Sequence, residues 1–237
     1  GVDPTDVIKK YGADTARMFI LFKAPPEKDL EWDEADVEGQ YRFLFRLIKL
    51  KDRFINNFSI KELNDDYSQL SSMELSDIDK DLRRKVHNAI KNITLDLNNN
   101  IQFNTAISEL MKLSNNLQEL FDSVEPIVCI EAFTILIKLL APFAPHLAEE
   151  LWWAIGGQNS IHIQKWPKYD LKAMIKDSYE LVIQINGKVR GKTNVPSDSS
   201  KENIEKLALK TSIVKKWLNN KSPSRLIIVP GKLINFV

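Results

Sequence analysis

The chain has 237 residues, of which 43% are hydrophobic and 27% are charged, and its formal net charge is +1. Such a chain can bury one large core or two smaller ones, which argues against an intrinsically disordered protein. No apolar run is long enough to span a membrane and no signal segment begins the chain, so we expect a cytoplasmic protein. The single cysteine, Cys129, excludes an internal disulfide and a cysteine-rich zinc site, and its apolar neighbours predict burial.

Charge is divided unevenly along the chain. Residues 1–175 carry 21 lysines and arginines against 27 acidic residues, whereas residues 176–237 carry 12 against 5, a net charge of +7. An excess of this kind favours a polyanionic partner, because lysine and arginine neutralise phosphates and release counterions. The alternative is that these cations only keep the protein in solution. We expect residues 176–237 to form a separate basic module.

Helical patterns dominate the first part of the chain. Asp3-Pro4 predicts a short helix that stops at Gly12, and an apolar segment begins at Asp14. An amphipathic helix is predicted over 35–58, then a mobile connection over 59–75, and then three helices over 77–97, 104–122 and 126–140. Pro145 begins a fifth helix that ends at the glycine pair 156–157. Helices with short links predict an antiparallel helical bundle.

The three histidines, His87, His146 and His162, are isolated in the sequence. None has a second histidine, a cysteine or a carboxylate at the spacing of metal ligands. His146 could serve as an acid, a base or a ligand, but a structural role in the first turn of its helix is favoured. We therefore expect no metal site and no catalytic residue in these 237 residues.

A β-hairpin is predicted at the start of the basic module. Apolar residues alternate over 181–185, and Asn186-Gly187 supplies the two positive φ angles that a tight type I′ turn needs. On the return strand three cations lie two residues apart and are predicted to project from one face: Lys188, Arg190 and Lys192. Spacing alone leaves two interpretations open, a surface for phosphate and a solvated strand face.

Residues 187–193 also resemble the nucleotide-binding P-loop in the order G-x-x-x-G-K-T. The P-loop has four residues between its glycines and a helix that begins at its lysine. Here the spacing is one residue short, and Pro196 comes soon after instead of a helix. We do not expect an ATP site in this segment.

The rest of the module predicts two helices, capped by Ser200 and Thr211, and two strands over 225–229 and 233–237. The predicted order is therefore ββααββ, and the whole chain is predicted to be mainly α with a small α+β domain at its end. Trp217 lies in the apolar stripe of the second helix, which predicts a core residue and not a platform for a nucleic-acid base.

Three blocks resemble the C-terminal part of bacterial-type leucyl-tRNA synthetases. The first runs from Gly1 to Trp32 and is similar to the segment after the KMSKS loop of that family. The second, 142–153, resembles a helix of the anticodon-binding bundle, and the third, 181–192, resembles the start of the small C-terminal domain. An isoleucine enzyme would more often end in a zinc module that one cysteine cannot build, and a valine enzyme in a coiled coil, whose heptads are missing here.

The resemblance implies four regions. They are a segment after the catalytic domain (1–34), a helical bundle of the anticodon-binding type (35–157), a linker (158–179) and a basic tRNA-binding α+β domain (180–237). The start at glycine, without methionine, predicts that the chain is cut from something longer, and the ATP signatures HIGH and KMSKS do not occur in it. The parent enzyme would charge leucine tRNA with leucine, using ATP and Mg²⁺, while this fragment alone would be inactive and hold no cofactor.

On this resemblance, the fragment would be a monomer that positions leucine tRNA. Its phosphate contacts would come from six cations: Lys188, Arg190 and Lys192, with Lys215, Lys216 and Arg225 as weaker candidates. The alternative is a helical scaffold whose basic tail binds a protein or polyanions in general.

Overall fold

The computed structural model describes residues 2–23, 31–219 and 223–237, so most of the Ala24 to Trp32 segment of the first block lies outside the described residues. The chain divides into two compact units, residues 1–174 and residues 175–237, and each is described by itself. The four regions and their boundaries expected from the sequence stay predictions.

The first unit is helical, and its helices begin where the sequence offers capping groups. The Asp3 carboxylate accepts a hydrogen bond from the Thr5 backbone N–H (2.8 Å), and Ser76 and Asp79 cap each other's backbone reciprocally. The helices are α1 (Pro4–Tyr11), α2 (Ala13–Lys23), α3 (Glu34–Asn57), α4 (Asp77–Leu95), α5 (Phe103–Leu120), α6 (Pro126–Leu140), α7 (Pro145–Ala154) and α8 (Leu171–Met174).

The connection between α3 and α4 makes specific contacts with the helices. The sequence predicted a mobile connection over 59–75. Leu70 in the short 3₁₀ turn Ser68–Ser71 is buried, and the Tyr67 hydroxyl donates to Thr134 of α6 at 3.0 Å. The Leu63 N–H donates to the Gly156 carbonyl at 2.8 Å. The polar sequence of this segment does not predict these contacts, because each depends on a partner far along the chain.

A single hydrophobic cluster links α3, α4, α5, α6 and α7. Its largest fully buried side chains include Phe43, Phe54, Phe133 and Phe143. Helix α4 contacts α5, α6 and α8, and α5 also contacts α2, α3 and α6. A two-point ion pair, Arg83 to Glu131, lies inside this packing, with nitrogen to oxygen distances of 2.8 and 3.2 Å. The predicted helical bundle is confirmed.

Cys129 lies on α6 and is fully buried, as the sequence predicted. Burial raises the pKa of the Cys129 thiol to about 12. The thiolate is the reactive form, and a free cysteine has a pKa of about 8.5. At pH 8 we therefore expect the folded protein to react with Ellman's reagent roughly a thousandfold more slowly than the urea-unfolded protein, because the thiolate fraction falls about tenfold per pKa unit. Equal rates in the two states would contradict the burial.

The two glycines after α7 are each favoured by the structure, for different reasons. Gly156 has a φ of +88°, which favours glycine, whereas a Cβ on Gly157 would overlap the buried ring of Trp152.

We expect Gly157→Ala to lower the free energy of unfolding by about 1–3 kcal/mol, the usual cost of overpacking. The matched control is Gly39→Ala in α3, where a Cβ meets nothing within 4 Å. Because alanine favours helix, this variant should gain about 0.5–1 kcal/mol in the same urea titration. A Gly157→Ala variant as stable as Gly39→Ala would contradict the packing described around Trp152.

The second unit contains β1 (Ser178–Ile185), β2 (Lys188–Pro196), α9 (Lys201–Lys210), α10 (Ser212–Leu218), β3 (Leu226–Val229) and β4 (Leu233–Phe236). The predicted order ββααββ is confirmed. The strands lie in the order β2-β1-β4-β3, with β1 parallel to β4 and the other pairs antiparallel. Leu181 and Ile183 face α9 and α10 and form a small core with Ile204, Val214 and Phe236. Among the described residues, no helix is long and apolar enough to cross a membrane.

Candidate nucleic-acid interface

The hairpin that carries the predicted cations forms as expected. Asn186 and Gly187 have φ angles of 49° and 75°, the two positive values that the sequence predicted for the turn. The turn is also held from outside the hairpin, because the Gly187 N–H donates to the Asn235 side-chain oxygen at 3.0 Å. The return strand β2 therefore begins at Lys188 in a fixed register.

The three cations of β2 do not share one face, and this prediction is wrong. Lys188 pairs with Ile185, whose side chain points to the core, whereas Lys192 pairs with Val182 on the opposite face. The register shifts by one residue at Arg190, which is a β-bulge. A bulge inserts one residue into one strand and so reverses the alternation beyond it.

The bulge directs Arg190 toward the helices. Its guanidinium carbon lies 3.9 Å from the centre of the Trp217 ring in α10. Trp217 is 49% exposed, so the prediction that it is a core residue is wrong. Gly191 lets α10 lie close to β2, because a Cβ on residue 191 would overlap the end of the Ile213 side chain in α10. The seven-residue helix is anchored by the buried Val214, and Trp217, three residues further along, remains half exposed.

The other predicted cations differ in their surroundings. Lys192 forms an ion pair with Glu180 of β1 at 2.6 Å, which offsets part of its charge. Lys215 and Lys216 are exposed on α10, next in sequence to Trp217. Arg225 is exposed just before β3, at the edge of the sheet opposite to β2. With two strands between them, the two edges are about 14 Å apart.

One cluster therefore emerges from the six candidates. In the described part of the chain no carboxylate pairs with Lys188, Arg190, Lys215 or Lys216. Arg190 joins the strand to α10 through Trp217, so these four cations, hereafter the β2/α10 cluster, belong to one side of the module. Unpaired cations on one side suit phosphate groups, because each gains an anion without first losing a partner. Lys192 and Arg225 stay predicted contacts outside this cluster.

The P-loop geometry is not formed in this segment. Lys192 and Thr193 lie inside β2, and the next helix begins only at Lys201. A P-loop lysine must lie at the start of a helix, whose N–H groups cradle the phosphates.

His146 and His87 take structural positions in the first unit. His146 Nδ1 lies 2.8 Å from the Asp14 carboxylate, which also accepts the Leu147 N–H at 2.8 Å and so ties α7 to α2. His87 is not isolated in space: it is buried beside Glu131, with 3.3 Å between Nε2 and Oε1. No group of three possible ligands lies together within residues 2–23, 31–219 and 223–237, so these contacts form no metal site.

Comparison with known proteins gives a consistent result. The family model described as "Anticodon-binding domain of tRNA ligase" matches residues 79–206. A leucine--tRNA ligase from Prochlorococcus marinus (strain MIT 9303) is 57% identical over 243 residues, and one from Synechococcus sp. (strain WH7803) is 55% identical over 237. Each alignment covers 100% of this chain but 27% of the relative, so the chain spans about a quarter of the relatives' length.

A solved structure matches over the same extent. It is the ternary complex of Agrobacterium radiobacter K84 agnB2 LeuRS with tRNA and LeuAMS, which is 27% identical to this chain, with a TM-score of 0.78. The match covers 100% of this chain and 30% of the other.

Proposed function

Because this chain belongs to the anticodon-binding domain family of tRNA ligases and is homologous over its whole length to leucine--tRNA ligases, we propose that it is the tRNA-positioning part of such an enzyme. The parent would charge leucine tRNA with leucine, using ATP and Mg²⁺. These 237 residues contain neither the HIGH nor the KMSKS motif, so the chemistry is assigned to the parent and not to them. A monomer that acts in the cytoplasm is part of the same proposal.

The β2/α10 cluster is the observation that carries this proposal. Lys188 and Arg190 of β2 and Lys215 and Lys216 of α10 lie in a module with a net charge of +7 over residues 176–237. The solved relative was captured with tRNA, which is a polyanion of matching chemistry. Contacts to phosphate fix the position and orientation of a nucleic acid without reading its sequence. The cluster is therefore suited to hold the body of the tRNA while another part of the enzyme acts on its end.

A competition experiment tests this proposal against general polyanion binding. A fluorescent leucine tRNA is bound to the 237-residue chain, and unlabelled leucine tRNA, polyuridine or heparin is added as competitor. We expect folded leucine tRNA to compete at least about tenfold better than polyuridine at equal phosphate concentration, because cations in a fixed arrangement favour phosphates in a fixed arrangement. Equal competition by all three polymers would instead support a general polyanion-binding tail.

The same assay separates the cluster from the overall charge of the module. Lys188→Ala with Arg190→Ala should weaken tRNA binding, whereas Lys201→Ala with Lys206→Ala, at exposed positions of α9, removes two charges outside the cluster and should change binding little. Equal losses from the two variants would show that only the net charge matters.

A further inference from the structure

We propose that the stacked pair Arg190 and Trp217 is a platform on which an unpaired base of the bound tRNA stacks. This proposal rests on the proposed function and adds a contact of a different kind to the phosphate contacts. The pair is formed by a guanidinium 3.9 Å from the ring centre of an indole that is 49% exposed. Both groups present planar surfaces, and unpaired RNA bases are held by stacking on aromatic rings and on guanidinium planes.

The platform is built by three separate features of the fold. The β-bulge turns Arg190 toward α10, and Gly191 leaves the space that the Ile213 side chain of α10 enters. The Thr211 hydroxyl accepts the Val214 N–H at 3.4 Å and caps this helix, and the buried Val214 holds it on the sheet. Both planes are therefore in place before any partner arrives, which lowers the entropy cost of binding.

Phosphate binding alone does not account for this arrangement. A cation that only neutralises phosphate needs no aromatic partner, and the exposed lysines 188, 215 and 216 on the same two elements already supply charge. The guanidinium lies over the indole ring, and because Arg190 is exposed, a base can approach the guanidinium from the solvent side. The lysines of the β2/α10 cluster can bind phosphates of the same strand, which suits a nucleotide that is turned out of a folded RNA.

Two substitutions separate stacking from charge in the 237-residue chain. Arg190→Lys keeps the charge and loses the plane, whereas Trp217→Leu keeps apolar surface and loses the ring. With a leucine tRNA transcript as the probe, we expect each to weaken binding about tenfold, while the slope of log Kd against log salt stays the same. Trp217→Phe, which retains a ring, should recover most of the affinity. The matched control is Trp153→Leu, since Trp153 is 53% exposed on α7 and, among the residues that the structure describes, no arginine lies over its ring.

A second readout reports on the ring directly. Tryptophan fluorescence should change when tRNA binds, and the change should be smaller in Trp217→Phe, because the base that stacks on the Arg190 plane alters the surroundings of the half-exposed indole. A merely structural tryptophan would show no such difference. Circular dichroism of each variant checks that the module remains folded.

The outcomes distinguish this inference from the proposed function. If the wild-type chain binds leucine tRNA while Arg190→Lys and Trp217→Leu bind equally well, the platform is overturned and the proposed function stands. A wild-type chain that does not bind leucine tRNA would overturn both.

Discussion

Replacing Arg83 by methionine is expected to lower the free energy of unfolding by about 3–5 kcal/mol, because it leaves a buried carboxylate without its cation. Arg83 is 5% exposed and Glu131 is 1% exposed, and the two are joined by hydrogen bonds of 2.8 and 3.2 Å. His87 would remain beside the carboxylate, 3.3 Å from Oε1. Urea unfolding followed by circular dichroism measures the loss.

The control removes both charges at once. Arg83→Met combined with Glu131→Leu leaves no unpaired ion, and replacing a buried ion pair by apolar residues is often neutral. We therefore expect the double variant to be more stable than Arg83→Met alone, which gives a large coupling between the two positions. A single variant as stable as the wild type would show that the carboxylate does not depend on the arginine.

Reversing two charges of the β2/α10 cluster should have the largest effect on binding. Lys188→Glu with Arg190→Glu replaces two unpaired cations by anions, so that phosphates once attracted to this surface are repelled. At low salt, near 50 mM, we expect tRNA binding to weaken on the order of a hundredfold. Fluorescence anisotropy with labelled leucine tRNA measures this loss.

The comparison variant makes the same change elsewhere in the module. Lys201→Glu with Lys206→Glu reverses two exposed cations on α9. It lowers the net charge equally but leaves the β2/α10 cluster intact, so its effect should be smaller. If it weakens binding as much as the reversal at positions 188 and 190, the cluster has no special role.

Local signals in the sequence predicted most of the elements. Asp3-Pro4 and Asn186-Gly187 specify a helix start and a turn through their own backbone preferences, and the structure has both where they were expected. The long helices α3 to α7 also match their apolar periods to within a few residues. In each of these cases the information lies within one or two turns of chain.

Several details of the candidate site could not be predicted from the sequence and are visible only in the tertiary structure. The bulge at Arg190 is not visible in a period-two pattern, and it places Lys188 and Lys192 on opposite faces. Trp217 lies in an apolar stripe, yet it is half exposed, because in this seven-residue helix only Val214 is buried. His87 and Glu131 are 44 positions apart in the sequence and meet only when α4 packs on α6. Contacts of this kind depend on packing, not on spacing.

The salt dependence of tRNA binding tests the central claim most directly. Kd for leucine tRNA is measured between about 50 and 200 mM salt, for the wild-type chain and for Lys188→Ala with Arg190→Ala. Each phosphate contact adds about one to the slope of log Kd against log salt. If the β2/α10 cluster holds the tRNA, the wild-type slope is steep and the variant loses about two from it. The same slope for both proteins would contradict the assignment of tRNA binding to this cluster.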